Sequence, residues 1–474
     1  MFSFHNTLGG RIEPFEPLVP GRVGLYTCGP TVYDTPHIGN YRSYIFEDLL
    51  KRSLRLAGFR VRHVMNITDV DDKTIRNAGE CGLSLDAYTE PYIAQFMAGL
   101  RTLRIEPADV YPRATQHIPE MIVLIQGLLD KGFAYRQDGS IYFAIDRFPA
   151  YGRLSGMRTE DLRTTERVGA RLESDEYEKD SARDFALWKA PKEGEPSWDA
   201  PFGAGRPGWH IECSAMSAKY LGPTFDIHCG GVDNIFPHHE NEIAQSEALT
   251  GQPFVRTWLH CHHLVMDGEK MAKSKGNVQT LDSLAARGVD PSVLRFFLIG
   301  THYRRGLNFT FEALDQAAAG LKRITDFLFE LKTRTFPQGR REESVRIAAG
   351  AEAAFLAGLE DDLNISQALT AVYDLVRQGH LLIKENRLGT GDAAALEESL
   401  YRMDAVLAVL PARGGAAEIE ASIRARIEAR ETARKSRDFA QADAIRAELL
   451  AEGVQLEDTK DGVRWKIIKT TGAA

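Results

Sequence analysis

The chain has 474 residues, of which 43% are hydrophobic and 26% are charged. Those fractions are typical of folded globular proteins and argue against a disordered or fibrous chain, and the length predicts about three domains. Lysine and arginine total 58 against 66 acidic residues, which gives a net charge of -8. Because proteins that coat nucleic acid are usually basic, any polyanionic partner would have to meet a local basic patch.

The cysteine content predicts a reducing compartment. Five cysteines are too few and too scattered for a disulfide framework, so they indicate free thiols or metal ligands: Cys28, Cys81, Cys213, Cys229 and Cys261. The first residues lack the basic segment and apolar run of a secretory signal. Apolar windows such as Val293–Ile299 are too short to span a bilayer. We therefore expect a cytoplasmic protein without membrane contact.

The first ordered unit has the pattern strand, turn, helix, strand. Arg22–Thr27 is a short apolar run, and Tyr41–Leu56 carries apolar residues at helical spacing before Gly58. Arg60–Ile67 then predicts a second strand. Such a βαβ unit implies a parallel sheet that binds ligands at the carboxyl ends of its strands. The turn Cys28–Gly39 is therefore the expected location of a site.

Changes of pattern along the chain divide it further. We predict an α/β protein in which a Rossmann-type parallel-sheet domain is split by an insertion and followed by α-helical domains and a small C-terminal module. The expected boundaries are 1–118 and 200–290 for the two halves of the sheet domain, 119–199 for the insertion, 291–410 for the helical stem and bundle, and 417–474 for the terminal module.

Two motifs suit a nucleotide. His37, Gly39 and Asn40 begin the first helix, where free N–H groups favour anions and glycine permits close backbone approach. Lys270 and Lys273 lie in a glycine-flanked loop and could neutralise the charge of a leaving pyrophosphate. Taken singly, these are also the patterns of a structural histidine and of a solvated basic loop. As a pair they resemble the two signatures of class I aminoacyl-tRNA synthetases, with Asn40 and Ala272 as departures from the family pattern.

A third group of residues suits a metal ion. His238 and Glu242 are four residues apart, on one face of a helix, which is also a common spacing for an ordinary side-chain pair. Cys213 and Cys28 lie in turn-rich segments near the expected sheet edge and add the thiolates that zinc prefers. Cys229 is a competing thiol that spacing does not exclude.

Seven segments in order resemble the cysteinyl-tRNA synthetase family over essentially the whole chain: YTCGPTVYDTPHIGN, NITDVDDK, GRPGWHIECSAMS, FDIHCGGVDNIFPHHENEIAQSEA, KMAKSKGN, DDLNISQAL and the terminal RDFAQADAIRAEL…LEDTKDGVRWK. The resemblance implies one zinc ion per chain on Cys28, Cys213, His238 and Glu242. It implies a substrate-cysteine pocket at Thr68, Trp209 and His228. It also implies that ATP is bound and activated by His37, Gly39, Asn40, Lys270 and Lys273.

The reaction implied by that family is ATP-dependent activation of L-cysteine, with Mg²⁺, and its transfer to the 3′ end of tRNA(Cys). Thiolate binding to zinc would select cysteine where a hydrophobic pocket gains only about 1–3 kcal/mol per methylene, so no editing domain is expected. Two other interpretations remain. One is a mycothiol-type ligase that joins cysteine to an amino sugar, although that enzyme lacks the terminal module. The other is a non-catalytic zinc-dependent RNA-binding paralogue. We expect a monomer.

The terminal module supplies the local basic patch. Between Ala421 and Arg446 there are seven basic and four acidic residues, a balance of +3 in an acidic protein. A basic stripe can follow phosphates, and Trp465 could stack on an unpaired base. A solvated helix with a core tryptophan is the alternative. The resemblance favours anticodon recognition here, and the expected tRNA contacts are Arg430, Arg434, Arg437, Arg464 and Trp465.

Overall fold

The computed structural model describes residues 1–157, 184–271, 278–413, 416–436, 438–451, 454–459 and 462–467. Its strands are β1 Ser3–Asn6, β2 Arg11–Pro14, β3 Arg22–Thr27, β4 Arg60–Met65, β5 Ala134–Gln137, β6 Ser140–Phe143, β7 Phe185–Lys189, β8 Arg206–Pro207, β9 Phe225–Gly231, β10 Val255–Cys261, β11 Leu264–Met266, β12 Glu269–Lys270, β13 Leu307–Phe309, β14 Val454–Thr459 and β15 Gly462–Ile467. Its α-helices are α1 Ile38–Leu56, α2 Asp72–Glu80, α3 Leu85–Thr102, α4 Ile118–Asp130, α5 Trp209–Leu221, α6 Glu240–Thr250, α7 Leu281–Ala286, α8 Pro291–Ile299, α9 Phe311–Thr333, α10 Glu342–Glu360, α11 Ile365–Lys384, α12 Thr390–Leu407, α13 Ala416–Lys435 and α14 Phe439–Ala451. Across the described ranges, no helix is long and apolar enough to cross a membrane.

A parallel sheet forms the centre of the molecule, with the strand order β10-β9-β3-β4. The predicted strand–helix–strand unit is confirmed as β3, α1 and β4. The chain leaves β3 toward β4 on one side and β9 lies on the other, so the strand order reverses at β3. In open α/β sheets, ligands bind at such a reversal, outside the carboxyl ends of the strands. Thr27, the last residue of β3, pairs with Met65 and Cys229 and marks this edge.

Helix α1 covers one face of the sheet because its apolar residues recur at three- and four-residue spacing. Tyr41, Ile45, Phe46 and Leu49 are all buried. The helix ends at Leu56, and Gly58 turns the chain toward β4 with a φ of 93° that favours glycine. The amino terminus of α1 is thereby fixed at the same sheet edge as the end of β3.

Between the two halves of the parallel sheet, the chain forms a second, antiparallel sheet of order β5-β6-β7-β8. Its aromatic alternation buries Phe143, Phe185 and Trp188 in a core that also contains residues of α4, α5 and α6. The last strand, β8, lies beyond residue 199 and leads directly into α5. The insertion is therefore packed against the helices that follow it.

A buried ion pair joins α1 to the helical part of the chain. Arg295 on α8 donates to the Asp48 carboxylate at 2.5 Å, and both side chains are almost fully buried. Asp48 also accepts from Arg52 Nε at 2.8 Å and from the backbone N–H of Glu106 at 2.8 Å. Arg295 in turn donates to the carbonyl oxygens of Leu103 and Leu407, so this pair connects four segments of the chain.

The terminal module consists of α13, α14 and the hairpin of β14 and β15. It has a small core of its own, formed by Ile423, Ile427, Leu449, Val454, Leu456 and Trp465. The Trp465 ring meets Phe329 of α9 edge-on, with the ring centres 5.4 Å apart. This contact attaches the module to the helical stem.

We expect Asp48→Ala to destabilise the protein by about 3–5 kcal/mol, because it leaves the Arg295 guanidinium buried without its counter-charge. The measurement is the free energy of urea unfolding. Lys322→Ala serves as the control, since it removes an exposed pair with Asp326 and should change stability by less than about 0.5 kcal/mol. Equal stability of the two variants would contradict a structural role for the Asp48–Arg295 pair.

Candidate functional site

A cavity of about 1060 Å³ opens at the carboxyl ends of β3, β4 and β9. One end is lined by thiols and an imidazole, and the other by the residues that begin α1. The lining residues singled out from the sequence are Cys28, His37, Gly39, Asn40, Thr68, Trp209, Cys213 and His238. The structure therefore brings most of the expected nucleotide, substrate and metal residues to one place.

At the inner end, the ligand atoms of four side chains lie within 4.8 Å of one another: Cys28, Cys213, His238 and Glu242. Cys28 follows β3 and Cys213 lies on α5. His238 lies in the turn just before α6, and Glu242 lies in the first turn of α6. Cys229 is buried between the sheet and α1 and belongs to no donor cluster among the described residues. Among the described residues, the donor cluster therefore contains Cys28 and Cys213 and does not contain Cys229.

The chemistry of this donor set suits a divalent cation. A hydrogen bond with Cys28, burial and the nearby Glu242 carboxylate hold the pKa of the Cys213 thiol well above its ordinary value. The hydrogen bond with Cys213 lowers the pKa of Cys28, but burial and Glu242 give it a net rise. Two thiolates and a carboxylate would repel one another in a buried site, and a cation removes that repulsion.

The orientation of the donors also indicates a metal site. Glu242 Oε1 is buried and makes no hydrogen bond within the described part of the chain, although it lies 3.1 Å from His238 Nε2. His238 Nδ1 is occupied by His210 Nδ1 at 2.9 Å, which leaves Nε2 directed toward the donor set. A metal-binding histidine usually has its other ring nitrogen held in this way. Two sulfurs, one nitrogen and one oxygen match a zinc site.

A second cluster shares Cys28 and Glu242 and adds His228 and His239. Here the donors already bond to one another: His239 Nε2 lies 3.2 Å from Cys28 Sγ, and His228 Nε2 lies 3.0 Å from Glu242 Oε2. His260 Nε2 holds the other nitrogen of His239 at 2.8 Å. These two imidazoles therefore hold two of the four donors, Cys28 and Glu242, by hydrogen bonds. His228, expected to contact substrate, is fully buried and is not among the residues that line the cavity.

Thr68 and Trp209 line the cavity beside the donor set. The Thr68 hydroxyl donates to Glu212 Oε2 at 3.0 Å and accepts from Asn66 Nδ2 at 3.1 Å, so its direction is fixed. The Trp209 ring stacks on His238 with the ring centres 4.2 Å apart and the planes 21° apart. These contacts give the inner end of the cavity rigid walls.

Reciprocal hydrogen bonds cap the amino terminus of α1. The His37 ring accepts from the Asn40 backbone N–H at 3.3 Å, and the Asn40 side chain accepts from the His37 N–H at 3.0 Å. A Cβ at residue 39 would lie 2.9 Å from the His37 ring, which explains Gly39. Asn40, the departure from the family signature, therefore has a structural role in this chain. The helix end can still attract an anion.

The segments on the two sides of the lysine loop both lie near the start of α1. Met271 is buried and lines the cavity, and after the loop Gln279 O accepts from the Ile38 backbone N–H at 2.9 Å. Lys270 ends β12, but its side chain, like all of Lys273 and Ala272, lies outside the described residues. The structure thus places the segments on either side of the loop next to the start of α1.

In the terminal module, two of the residues expected to contact RNA make contacts within the protein. Arg430 is buried and donates through both terminal nitrogens to Asp458, each at 2.9 Å. Trp465 is 7% exposed and packed against Phe329, so its ring offers no stacking surface. Arg434 is 41% exposed at its side chain and pairs with Asp458 at 3.1 Å. Arg437 and the side chain of Arg464 lie outside the described residues.

Several side chains that hold the site were missed in the sequence. His210, His239, Asn66 and Glu212 orient ligands or lining residues, as described above. His210 lies three residues before the predicted ligand Cys213, and His239 directly follows the predicted ligand His238. Their nearness to predicted ligands was the available signal. Asn66 and Glu212 gave no signal of their own, because their effect depends on contacts across the sheet edge.

We expect Asn40→Ala to destabilise the protein by about 1 kcal/mol, because it removes one half of the cap on α1. Asn40→Asp keeps the acceptor oxygen and adds a charge that the helix amino terminus favours, so its stability should match the native protein. Urea unfolding of the three proteins makes the comparison. A native-like Asn40→Ala would show that the cap contributes nothing.

Solved structures share the fold of this chain. A methionyl-tRNA synthetase from Mycobacterium tuberculosis, in complex with methionyl-adenylate, superposes with a TM-score of 0.57 at 16% identity and covers 82% of this chain and 90% of its own. A LeuRS–tRNA–LeuAMS ternary complex from Agrobacterium radiobacter K84 gives a TM-score of 0.56 at 12% identity, with coverages of 83% and 84%. At such identities the likeness establishes the fold alone, and it confirms the predicted α/β class.

Sequence comparisons are more specific. Residues 14–319 match the family model described as tRNA synthetases class I (C) catalytic domain. A protein named "Cysteine--tRNA ligase" from Solibacter usitatus (strain Ellin6076) is 49% identical over 98% of this chain and 99% of its own length. One of the same name from Leptospira interrogans serogroup Icterohaemorrhagiae serovar Lai (strain 56601) is 46% identical, again over 98% and 99%. The chain therefore belongs to the cysteine–tRNA ligase family of class I tRNA synthetases.

Proposed function

We propose that this chain activates L-cysteine with ATP and transfers it to the 3′ end of tRNA(Cys). One observation carries the proposal: a single cavity has a sulfur-rich metal donor set at one end and a capped helix amino terminus at the other. A cysteine held by its side chain at the first end can direct its carboxylate toward a nucleotide at the second. The carboxylate oxygen then bonds the α-phosphorus of ATP, and pyrophosphate leaves.

Selection of cysteine is proposed to depend on zinc held by Cys28, Cys213, His238 and Glu242. When bound, zinc supplies an affinity for a thiolate that a serine hydroxyl or an alanine methyl cannot match. Trp209 restricts the width of the pocket by its stacking on His238, and Thr68 presents a hydroxyl whose direction Asn66 and Glu212 fix. His228 contributes indirectly, because its ring is within hydrogen-bond distance of the Glu242 carboxylate and holds it in position.

The nucleotide end is proposed to include His37, Gly39, Asn40, Lys270 and Lys273, with Mg²⁺ on the phosphates of ATP. Backbone N–H groups at the start of α1 favour the negative charge of the phosphates. On one side of the lysine loop Gln279 bonds the Ile38 N–H, and on the other side Met271 lines the same cavity as His37 and Gly39. This placement supports a role for the two lysines there. Placement and electrostatic stabilisation account for the chemistry without a covalent enzyme intermediate.

The domain division expected from the sequence is retained as part of the proposal. Its halves, 1–118 and 200–290, contain the parallel sheet, and 119–199 contains most of the antiparallel one. For tRNA we propose 417–474 as the anticodon module, with Arg434, Arg437 and Arg464 as contacts and with Arg430 and Trp465 shaping the module from within. The two thiol ligands must stay reduced, which supports a cytoplasmic location. We propose that the protein acts as a monomer.

Cys213→Ser should lose zinc and cysteine activation together. Pyrophosphate exchange with cysteine should fall to background, and any remaining preference for cysteine over serine should be no more than about 10²-fold, since only pocket shape is left. Metal content and exchange are measured on the same samples. Cys81→Ser, which removes an exposed thiol outside the donor set, should keep both. A metal-free variant that prefers cysteine over serine by more than about 10²-fold would refute selection by zinc.

A pair of assays separates this function from the two alternatives. Cysteine-dependent ATP–pyrophosphate exchange is measured first, and then transfer of labelled cysteine to tRNA or to an amino-sugar acceptor. We expect exchange and charging of tRNA. Exchange with transfer to the amino sugar alone would favour the mycothiol-type ligase, and absence of exchange would favour a non-catalytic RNA-binding protein.

A further inference from the structure

The inserted subdomain packs against α6, the helix that carries Glu242 of the metal donor set and directly follows the turn that carries His238. Residues 151–157, called the clamp loop here, run along α6. Tyr151 and Leu154 of this loop are 7% and 4% exposed and lie in the same hydrophobic core as Ile243 of α6. The loop is tightly turned at Gly152, where φ is 92° and a Cβ would lie 1.9 Å from the Met157 carbonyl oxygen.

Polar contacts from the clamp loop go to the two residues that directly precede Glu242. Glu240 Oε2 accepts from the backbone N–H groups of Leu154 at 3.1 Å and Ser155 at 2.8 Å. Asn241 Oδ1 accepts from the Tyr151 hydroxyl at 2.5 Å, in the interior of the protein. Both acceptor residues are almost completely buried. Their bonds therefore fix the first turn of α6 against the insertion.

That turn determines the position of two of the four donors. Glu242 lies on it, and His238 lies just before it, whereas Cys28 is held by β3 and Cys213 by α5. A metal site tolerates little displacement, because its ligands must remain at bonding distance and orientation. Any movement of the first turn of α6 would separate His238 and Glu242 from the two thiols.

We propose that the clamp loop is a positioning element of the metal site: the bonds of Glu240 and Asn241 to the loop keep His238 and Glu242 in register with Cys28 and Cys213. Tyr151, Glu240 and Asn241 are positioning residues, since they act through the helix and not on the metal. The inference rests on the proposed zinc site. It assigns the insertion a role in retaining the metal, through Glu240 and Asn241, which lie between the donors His238 and Glu242.

The test uses the full-length zinc-loaded protein and measures zinc release to a chromogenic chelator. Tyr151→Phe keeps the ring but removes the hydroxyl, and Glu240→Ala removes the acceptor for both backbone N–H groups. Since mutations of such outer partners cost 10–100-fold in metal affinity, zinc release should be about tenfold faster or more in both variants. Glu240→Gln keeps an acceptor oxygen and should restore release to within about threefold of the native rate.

Arg153→Met is the matched control. It changes the same loop and, among the contacts of the described residues, removes the ion pair with Glu247, which lies about two turns beyond Glu240 on α6. Zinc should therefore leave at the native rate. The Co²⁺-substituted proteins give a second readout, because a displaced ligand alters the visible absorption bands in Tyr151→Phe but not in Arg153→Met.

Native release from Tyr151→Phe and Glu240→Ala would overturn the clamp while leaving the zinc site intact. Equally fast release from Arg153→Met would overturn it too, since the loop would then act only through general stability. Failure of the native protein to bind zinc would instead refute the proposed function on which the clamp depends.

Discussion

Electrostatic repulsion among buried anions is the constraint on which the site depends. Two thiols and a carboxylate converge beneath the cavity. The hydrogen bond with Cys28, burial and Glu242 raise the pKa of Cys213. The same hydrogen bond lowers the pKa of Cys28, but burial and Glu242 give it a net rise. A bound cation would offset the repulsion and favour the ionised forms of all three groups together. The surrounding histidines hold the donors in place by hydrogen bonds. His210 bonds His238, His228 bonds Glu242, and His239 bonds Cys28.

The parallel sheet and α1 turn this donor set into one end of a reaction site. The strand order reverses at β3, so Cys28 at the end of that strand and His37 at the start of the next helix lie at the same edge. Helix α1 is in turn fixed to the helical stem by the Asp48–Arg295 pair. The position of the nucleotide end is therefore tied to the body of the molecule, and the position of the metal end is tied to the insertion through α6.

Much of this was predictable from the sequence. The strand at Arg22–Thr27 has the predicted bounds, and the next strand and helix differ by two or three residues, because glycines and strong periodicity mark them. The grouping of Cys28, Cys213, His238 and Glu242 followed from ligand chemistry and the family resemblance. The environments of Arg430 and Trp465 were harder to predict. Charge and aromaticity suggested contacts with RNA, but Arg430 bonds Asp458 and Trp465 packs on Phe329. Such contacts depend on tertiary packing that composition does not reveal. The contacts of Glu240 and Asn241 with the insertion had no sequence signal for the same reason.

The central claim is that the donor set binds zinc and that the zinc binds the substrate sulfur. Zinc X-ray absorption of the purified protein, recorded without and with cysteine, tests both parts at once. The account predicts two sulfur ligands at about 2.3 Å with nitrogen and oxygen at about 2.0–2.2 Å, and a third sulfur when cysteine is added. A sulfur count that does not change on addition of cysteine would contradict it.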